Sequence, residues 1–154
     1  MKKTLTLSKH LIVFLLMLLA QKSFTQVPNL NGTWVLNLSK SKLEHQGEGF
    51  TGSTFIIEQK GDQLTLTRIH YFGEKSKKIR FKMTADGRTR HIKILFKGKL
   101  EKEEKSLLAT LWRKGFSNVV RYHYGENENE LVADEVMKSK ANNHHNVWVF
   151  DKKQ

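Results

Sequence analysis

Two arginine–histidine pairs stand at the ends of otherwise apolar β-type runs. In "QLTLTRIHY", Arg68 and His70 continue the face of Leu64 and Leu66, and in "NVVRYHY", Arg121 and His123 continue the face of Val119. A guanidinium takes the paired oxygens of a carboxylate or phosphate in forked hydrogen bonds. If both runs turn these residues to a shared interior, the four side chains would hold an anionic head group while an apolar tail lies alongside. Tyr122 and Tyr124 would then face the other way. At an open rim, the same four side chains would simply meet water.

Other chemistries find less support. His144 and His145 are adjacent, so on a strand they point to opposite faces and cannot share a metal. His70, His91 and His123 lie in different runs, with no spacing that specifies a tetrahedral or axial site. No metal or cofactor is expected. Asp134 and Glu135 also face opposite sides of their run, and Glu126, Glu128 and Glu130 lie in a turn-like stretch. The sequence contains no G-x-S-x-G and no H-E-x-x-H, so no catalytic residue is assigned. The absence of cysteine excludes thiolate catalysis, disulfides and zinc ribbons. Triads and acid pairs are defined by geometry rather than order, so a barrel enzyme, an isomerase or hydroxy-acid hydrolase, stays open as a third reading.

The elements that must position these residues begin after a leader-like segment. Lys2, Lys3, Lys9 and His10 precede the apolar run "LIVFLLMLLA", and Ser23 and Thr25 supply small residues before a cut at Gln26. This is the pattern of a secretory signal peptide, too short to span a bilayer comfortably. The expectation is a cleaved leader over 1–25 and one domain over 26–154, which is 129 residues. The net charge of +12 falls to +8 without the four leader lysines. That charge favours anionic partners, such as an envelope lipid or glycan. The lysines are spread along nearly every segment, as a solvated exterior requires. No zinc-finger, P-loop or RNP-type pattern points to nucleic acid.

From Thr33 onward, period-2 alternation and short turn signals dominate. "GTWVLNLS" sets Trp34, Leu36 and Leu38 on one face. "KSKLEHQGEGFTG" is a long glycine-bearing connection, and Gly61–Asp62 is a hairpin turn between "STFIIEQ" and "QLTLTRIHY". "KIRFKMT" alternates Ile79, Phe81 and Met83 against Arg80, Lys82 and Thr84. A turn at Ala85–Gly87 leads to "RHIKILF", with Ile92, Ile94 and Phe96 on one face, and then "GKLEKEEK" reads as a charged reversal with a short strand around Leu100. "SLLATLWRK", "NVVRYHY", "ELVADEVMK" and "NVWVFDKK" follow as strands. Eight to ten hairpin-linked strands in this length must hide their edges, and the local order favours an antiparallel up-and-down β-barrel. Its lining would be Phe55, Ile57, Leu64, Leu66, Ile79, Phe81, Met83, Ile92, Ile94 and Phe96, with Trp148 and Phe150. Such residues either fill the interior or surround one small ligand.

"GTW", with Gly32 and Trp34 at the head of the first strand, resembles the G-x-W that opens lipocalins and other calycin barrels. The resemblance implies that Trp34 plugs the closed end while Gly32 lets the entering backbone approach closely. The whole of "GTWVLNLSKSKL", the Gly61–Asp62 hairpin and the terminal "NVWVFDKK" are more similar to bacterial exported lipocalin-like proteins. Both chain ends and one hairpin carry the likeness, while the middle matches by strand pattern only. Two departures from true lipocalins stand out: no arginine follows Trp148, leaving Lys152 and Lys153 as substitutes against the plug, and no helix follows the last strand.

Taken together, the leader-like segment, the missing catalytic motifs and the barrel pattern lead to the expectation of a monomeric, non-enzymatic protein of the periplasm or exterior. It would bind a small hydrophobic or amphipathic molecule, anionic ones included, through Arg68, His70, Phe81, Met83, Ile94, Phe96, Arg121, His123 and Trp148. The rival reading is an envelope interaction module whose barrel is fully packed and whose basic outer surface meets the partner.

Overall fold

Alternating apolar residues are buried on one face where paired strands hold their register, and the described residues do this largely through eleven strands. The computed structural model describes residues 28–154, so the leader-like segment 1–25 lies outside the described residues. The strands are β1 (Gly32–Leu36), β2 (Lys42–Leu43), β3 (Phe50–Lys60), β4 (Gln63–Phe72), β5 (Lys75–Thr84), β6 (Arg90–Lys93), β7 (Phe96–Glu103), β8 (Ser106–Arg113), β9 (Phe116–Tyr124), β10 (Glu130–Ser139) and β11 (Asn143–Lys152). Ten of them follow a single antiparallel path, β5-β4-β3-β1-β11-β10-β9-β8-β7-β6, and β2 is appended to β11. This is the expected up-and-down barrel. Pairing of β1 with β11 joins the two ends of the described chain.

The path's two edges, β5 and β6, are not hydrogen-bonded to each other. At the end that carries the β3–β4 turn, the gap is bridged through β7, where Gly87 N donates to Leu100 O (3.0 Å) and Lys102 Nζ meets Asp62 Oδ1 (2.6 Å). The barrel is therefore nearly closed. Along β5 the exposed Lys75, Lys77, Lys78, Arg80 and Lys82 guard the free edge against pairing with another chain, because a row of like charges repels an incoming strand.

That closed end is sealed by Leu30 and Trp34, both fully buried. Trp34 Nε1 donates to Leu30 O at 2.9 Å, which supplies the partner that a buried indole needs. Lys152 Nζ lies 5.2 Å from the Trp34 ring centre, so lysine takes the place over the plug that the calycin resemblance gives to arginine. Gly32 has φ +140°, and a Cβ there would stand 3.1 Å from Lys152 Cε, so the close approach expected of this glycine is present. Above the plug, Phe55, Ile57, Leu64, Leu66, Leu100, Leu107, Leu131 and Phe150 form an apolar floor.

The sequence expectation fails between Arg90 and Glu103. Ile94 and Leu95 form the two-residue turn between β6 and β7, so Ile94 is not a lining residue but 96% exposed. The supposed charged reversal after Phe96 is most of β7, with Gly98 and Leu100 buried. Ile92 sits at a register shift between His91 and Lys93 and packs over Gly98. Leu38 lies beyond the end of β1 and is exposed.

Candidate ligand-binding site

The opposite end of the barrel carries the turns between β4 and β5, β6 and β7, β8 and β9, and β10 and β11. The connection from β1 to β3 straps across part of it. Leu43 pairs with Asn146, and Asn146 exchanges side-chain hydrogen bonds with the backbone of His45 (3.1 and 2.8 Å). His145 N donates to Glu44 Oε2 at 2.7 Å. Further along, Gly47 reaches the Phe72 ring so closely that a Cβ would stand 2.9 Å from it. The strap then delivers Phe50, whose ring meets His70, Phe72 and Trp148 at centre distances of 6.0, 5.9 and 5.8 Å.

Between the strap and the apolar floor lies a layer of polar side chains. Register places them: Met137 of β10 faces Asn118 and His144, Glu135 faces Val120 and Asn146, and Ala133 faces Tyr122 and Trp148. From β4, Arg68 reaches through the interior to Glu135, with NH2 4.0 Å from Oε1 and side-chain exposures of 16% and 6%. The same Oε1 accepts from Asn118 Nδ2 (2.7 Å), and Oε2 accepts from Trp148 Nε1 (2.8 Å). Arg68 also lies over the Phe55 ring at 5.3 Å.

The electrostatics follow from this arrangement. Burial alone would push the Glu135 carboxyl up, but the Arg68 charge and the Asn118 and Trp148 donors outweigh it and hold the group below its ordinary value. Burial first, and then the Arg68 charge, push His70 down to about 4, so it is neutral at neutral pH. Burial pushes the Tyr122 hydroxyl up to about 12. Among the described residues four buried side-chain polar atoms are left without a partner: Arg68 Nε, His70 Nδ1, Asn118 Oδ1 and His144 Nδ1. All four belong to residues on the inner faces of β4, β9 and β11.

The structure brings together part of the predicted site. Arg68, His70 and Trp148 face inward in this layer. Phe81 and Met83 lie half-buried on the same face of β5, opposite Leu66 and Leu64, and Phe96 is at the rim, edge-on to Phe116 at 5.7 Å. Arg121 and His123 do not join them. Arg121 is on the outer face, with Nε 2.8 Å from Glu103 Oε2, and His123 Nδ1 donates to the Tyr124 carbonyl at 2.7 Å. Tyr122 and Tyr124 occupy the inner face instead, because β9 is registered with Leu107 opposite Tyr122 and Leu131 opposite Tyr124.

Sequence reasoning missed Glu135, Asn118, His144 and Tyr122. The signal for Glu135 was its place in alternation after Leu131 and Ala133, an acid on a face otherwise apolar. His144 and His145 do split across the sheet as their adjacency requires: His144 turns in toward the His45 ring, 5.2 Å away, while His145 Nε2 lies 2.6 Å from Asp134 on the outside.

No protein-family model matches the chain, and no curated protein matches it in sequence. Solved structures do. A structure described as REP1-NXSQ fatty acid transporter superposes with TM-score 0.55 at 12% identity, covering 81% of this chain and 96% of that one. The fatty-acid-binding protein 1 of Echinococcus granulosus gives TM-score 0.54 at 14% identity, over 80% and 97% of the two chains. The zebrafish ileal bile acid-binding protein, solved with cholic acid, gives 0.52 at 16% identity, over 80% and 98%. At these identities the likeness is one of fold, and the chain has the nearly closed antiparallel barrel of the fatty-acid-binding and bile-acid-binding proteins.

Proposed function

We propose that this protein is a non-enzymatic carrier that holds a small amphipathic molecule inside its barrel. The tail lies on the apolar floor and the head group sits in the Arg68–His70–Asn118–Glu135–His144 layer. The observation that carries this reading is the set of four unpartnered buried polar atoms in that layer, since buried polar groups are normally paired. Likeness of fold to proteins described as fatty-acid and bile-acid carriers supports it. The leader-like segment supports export to the periplasm or beyond.

The chemistry of the layer refines the head group. Arg68 already faces the Glu135 carboxylate, so the layer offers no uncompensated cation. Its free positions include both a donor, Arg68 Nε, and an acceptor, Asn118 Oδ1. A neutral head that donates and accepts hydrogen bonds, such as a hydroxyl or amide, fits better than a permanent anion. Calorimetric titration with a saturated alcohol and a carboxylate of equal chain length tests this. The alcohol is expected to bind at least as tightly to the wild type, and Glu135→Gln, by freeing Arg68, shifts preference toward the carboxylate by ~10-fold. Arg121→Ala leaves both affinities unchanged. Absence of binding by either amphiphile, or a carboxylate preference that Glu135→Gln does not alter, contradicts the reading.

A further inference from the structure

The β6–β7 turn sets two aliphatic side chains in water, Ile94 at 96% and Leu95 at 67% exposure. Local structure gives no reason for them. Two-residue hairpin turns favour glycine, asparagine or aspartate, and neither residue has the positive φ that would mark such a turn. The register shift at Ile92 adds a bulge just before the turn, and bulges re-aim the strand ends that follow them.

The surroundings are cationic. From Gly87 to Leu100 there are five lysines and arginines and no acid. Arg88 and Arg90 pair with Asp86, and Lys99 pairs with Glu101. Among the described residues Lys93 and Lys97, on either side of the turn, form no ion pair. The adjoining β8–β9 hairpin is tied to this one by the Phe96–Phe116 contact, with the Arg113 guanidinium 5.0 Å from the Phe96 ring centre. Beyond it a groove of about 500 Å³ is lined by Arg113, Lys114 and Lys140 among others. The acids of this end, Glu44 and Glu48 on the strap and Glu74 in the β4–β5 turn, lie outside the β6–β7 and β8–β9 hairpins.

We infer that the β6–β7 tip docks on an anionic bilayer surface, with Ile94 and Leu95 inserted among the acyl chains and Lys93, Lys97 and Arg113 at the headgroups. Apolar insertion within a cationic ring is the combination that gives stable but reversible surface attachment. Cations alone would suit a soluble polyanion, and an apolar tip alone would suit a protein partner. The inference does not depend on what the barrel holds, and it places the mouth of the barrel toward the membrane.

Flotation with phosphatidylcholine vesicles, with and without phosphatidylglycerol, tests it on the 26–154 chain, which contains every described strand and the whole described core. Wild-type protein is expected to float with the anionic vesicles and far less with the neutral ones, and to be released by high salt. Ile94→Ser/Leu95→Ser and Lys93→Glu/Lys97→Glu are each expected to lower partitioning by ~10-fold. Their unfolding midpoints should match the wild type, since the altered side chains are exposed. Equal partitioning of wild type and both variants, no flotation of the wild type, or a concentration-dependent dimer that the serine variant abolishes would overturn the inference.

Discussion

Replacing Trp34 by alanine is expected to remove about 3–5 kcal/mol of stability, read from the midpoint of a urea transition followed by far-ultraviolet circular dichroism. The indole is fully buried, donates to Leu30 O at 2.9 Å, carries Lys152 Nζ 5.2 Å from its ring centre, and stands 6.5 Å from the Tyr124 ring. Alanine would leave a cavity beneath the first strand and an unpaired carbonyl at Leu30, and both effects destabilise. Trp34→Phe keeps most of the volume but orphans that carbonyl, so it should cost about 1–3 kcal/mol. A loss below about 1 kcal/mol for the alanine variant would show that the closed end is not sealed by this residue.

The second large effect is expected at Glu135. Removing its carboxylate strands three groups at once: the Arg68 guanidinium, the Trp148 indole N–H and the Asn118 amide. A broken buried pair leaves one uncompensated charge, and Glu135→Ala should cost about 3–5 kcal/mol in the same urea experiment. Glu135→Gln retains an acceptor for Trp148 and should lose less. The double variant Arg68→Met/Glu135→Leu removes both charges and should recover much of the loss, because paired removal leaves nothing unsatisfied between them. If the double variant is as unstable as Glu135→Ala, the two side chains do not form one electrostatic unit.

These two sites differ in how far the sequence discloses them. Trp34 was legible because its glycine, its alternation with Leu36 and its position at the head of the first strand all agree. Arg68 and His70 were placed on the correct face because Leu64 and Leu66 fix the period of β4 without ambiguity. In β9, both alternating faces carry apolar residues, Val119 on one and Val120 on the other. The face was decided by Leu107 and Leu131 across the sheet and by the Glu103 partner of Arg121, all remote in sequence. Glu135 was hidden for a related reason. Its strand has apolar residues on both faces, and the acid inside is explained by Arg68 reaching from β4 and by the Asn118 and Trp148 donors on neighbouring strands. The Ile94–Leu95 turn was unreadable because its residues have strand propensity and no turn chemistry.

The edges of the fold show the same division. Lysines dispersed along β5 read as ordinary surface charge, yet their common role as guards of a free strand edge appears only once β5 is known to be terminal in the sheet. The strap was recognised as a long glycine-bearing connection. Its course over the mouth depends on Asn146, His145 and Phe72, which no local pattern relates to it.

The central claim is that the barrel takes up an amphipathic molecule, and the most direct test is native mass spectrometry of the protein purified gently from its own source, beside a delipidated sample. The account predicts a discrete added mass that organic extraction removes and that a neutral amphiphile restores. A single bare mass in both samples, unchanged by added alcohols, amides or fatty acids, would contradict it and mark the polar layer as a feature of a filled barrel.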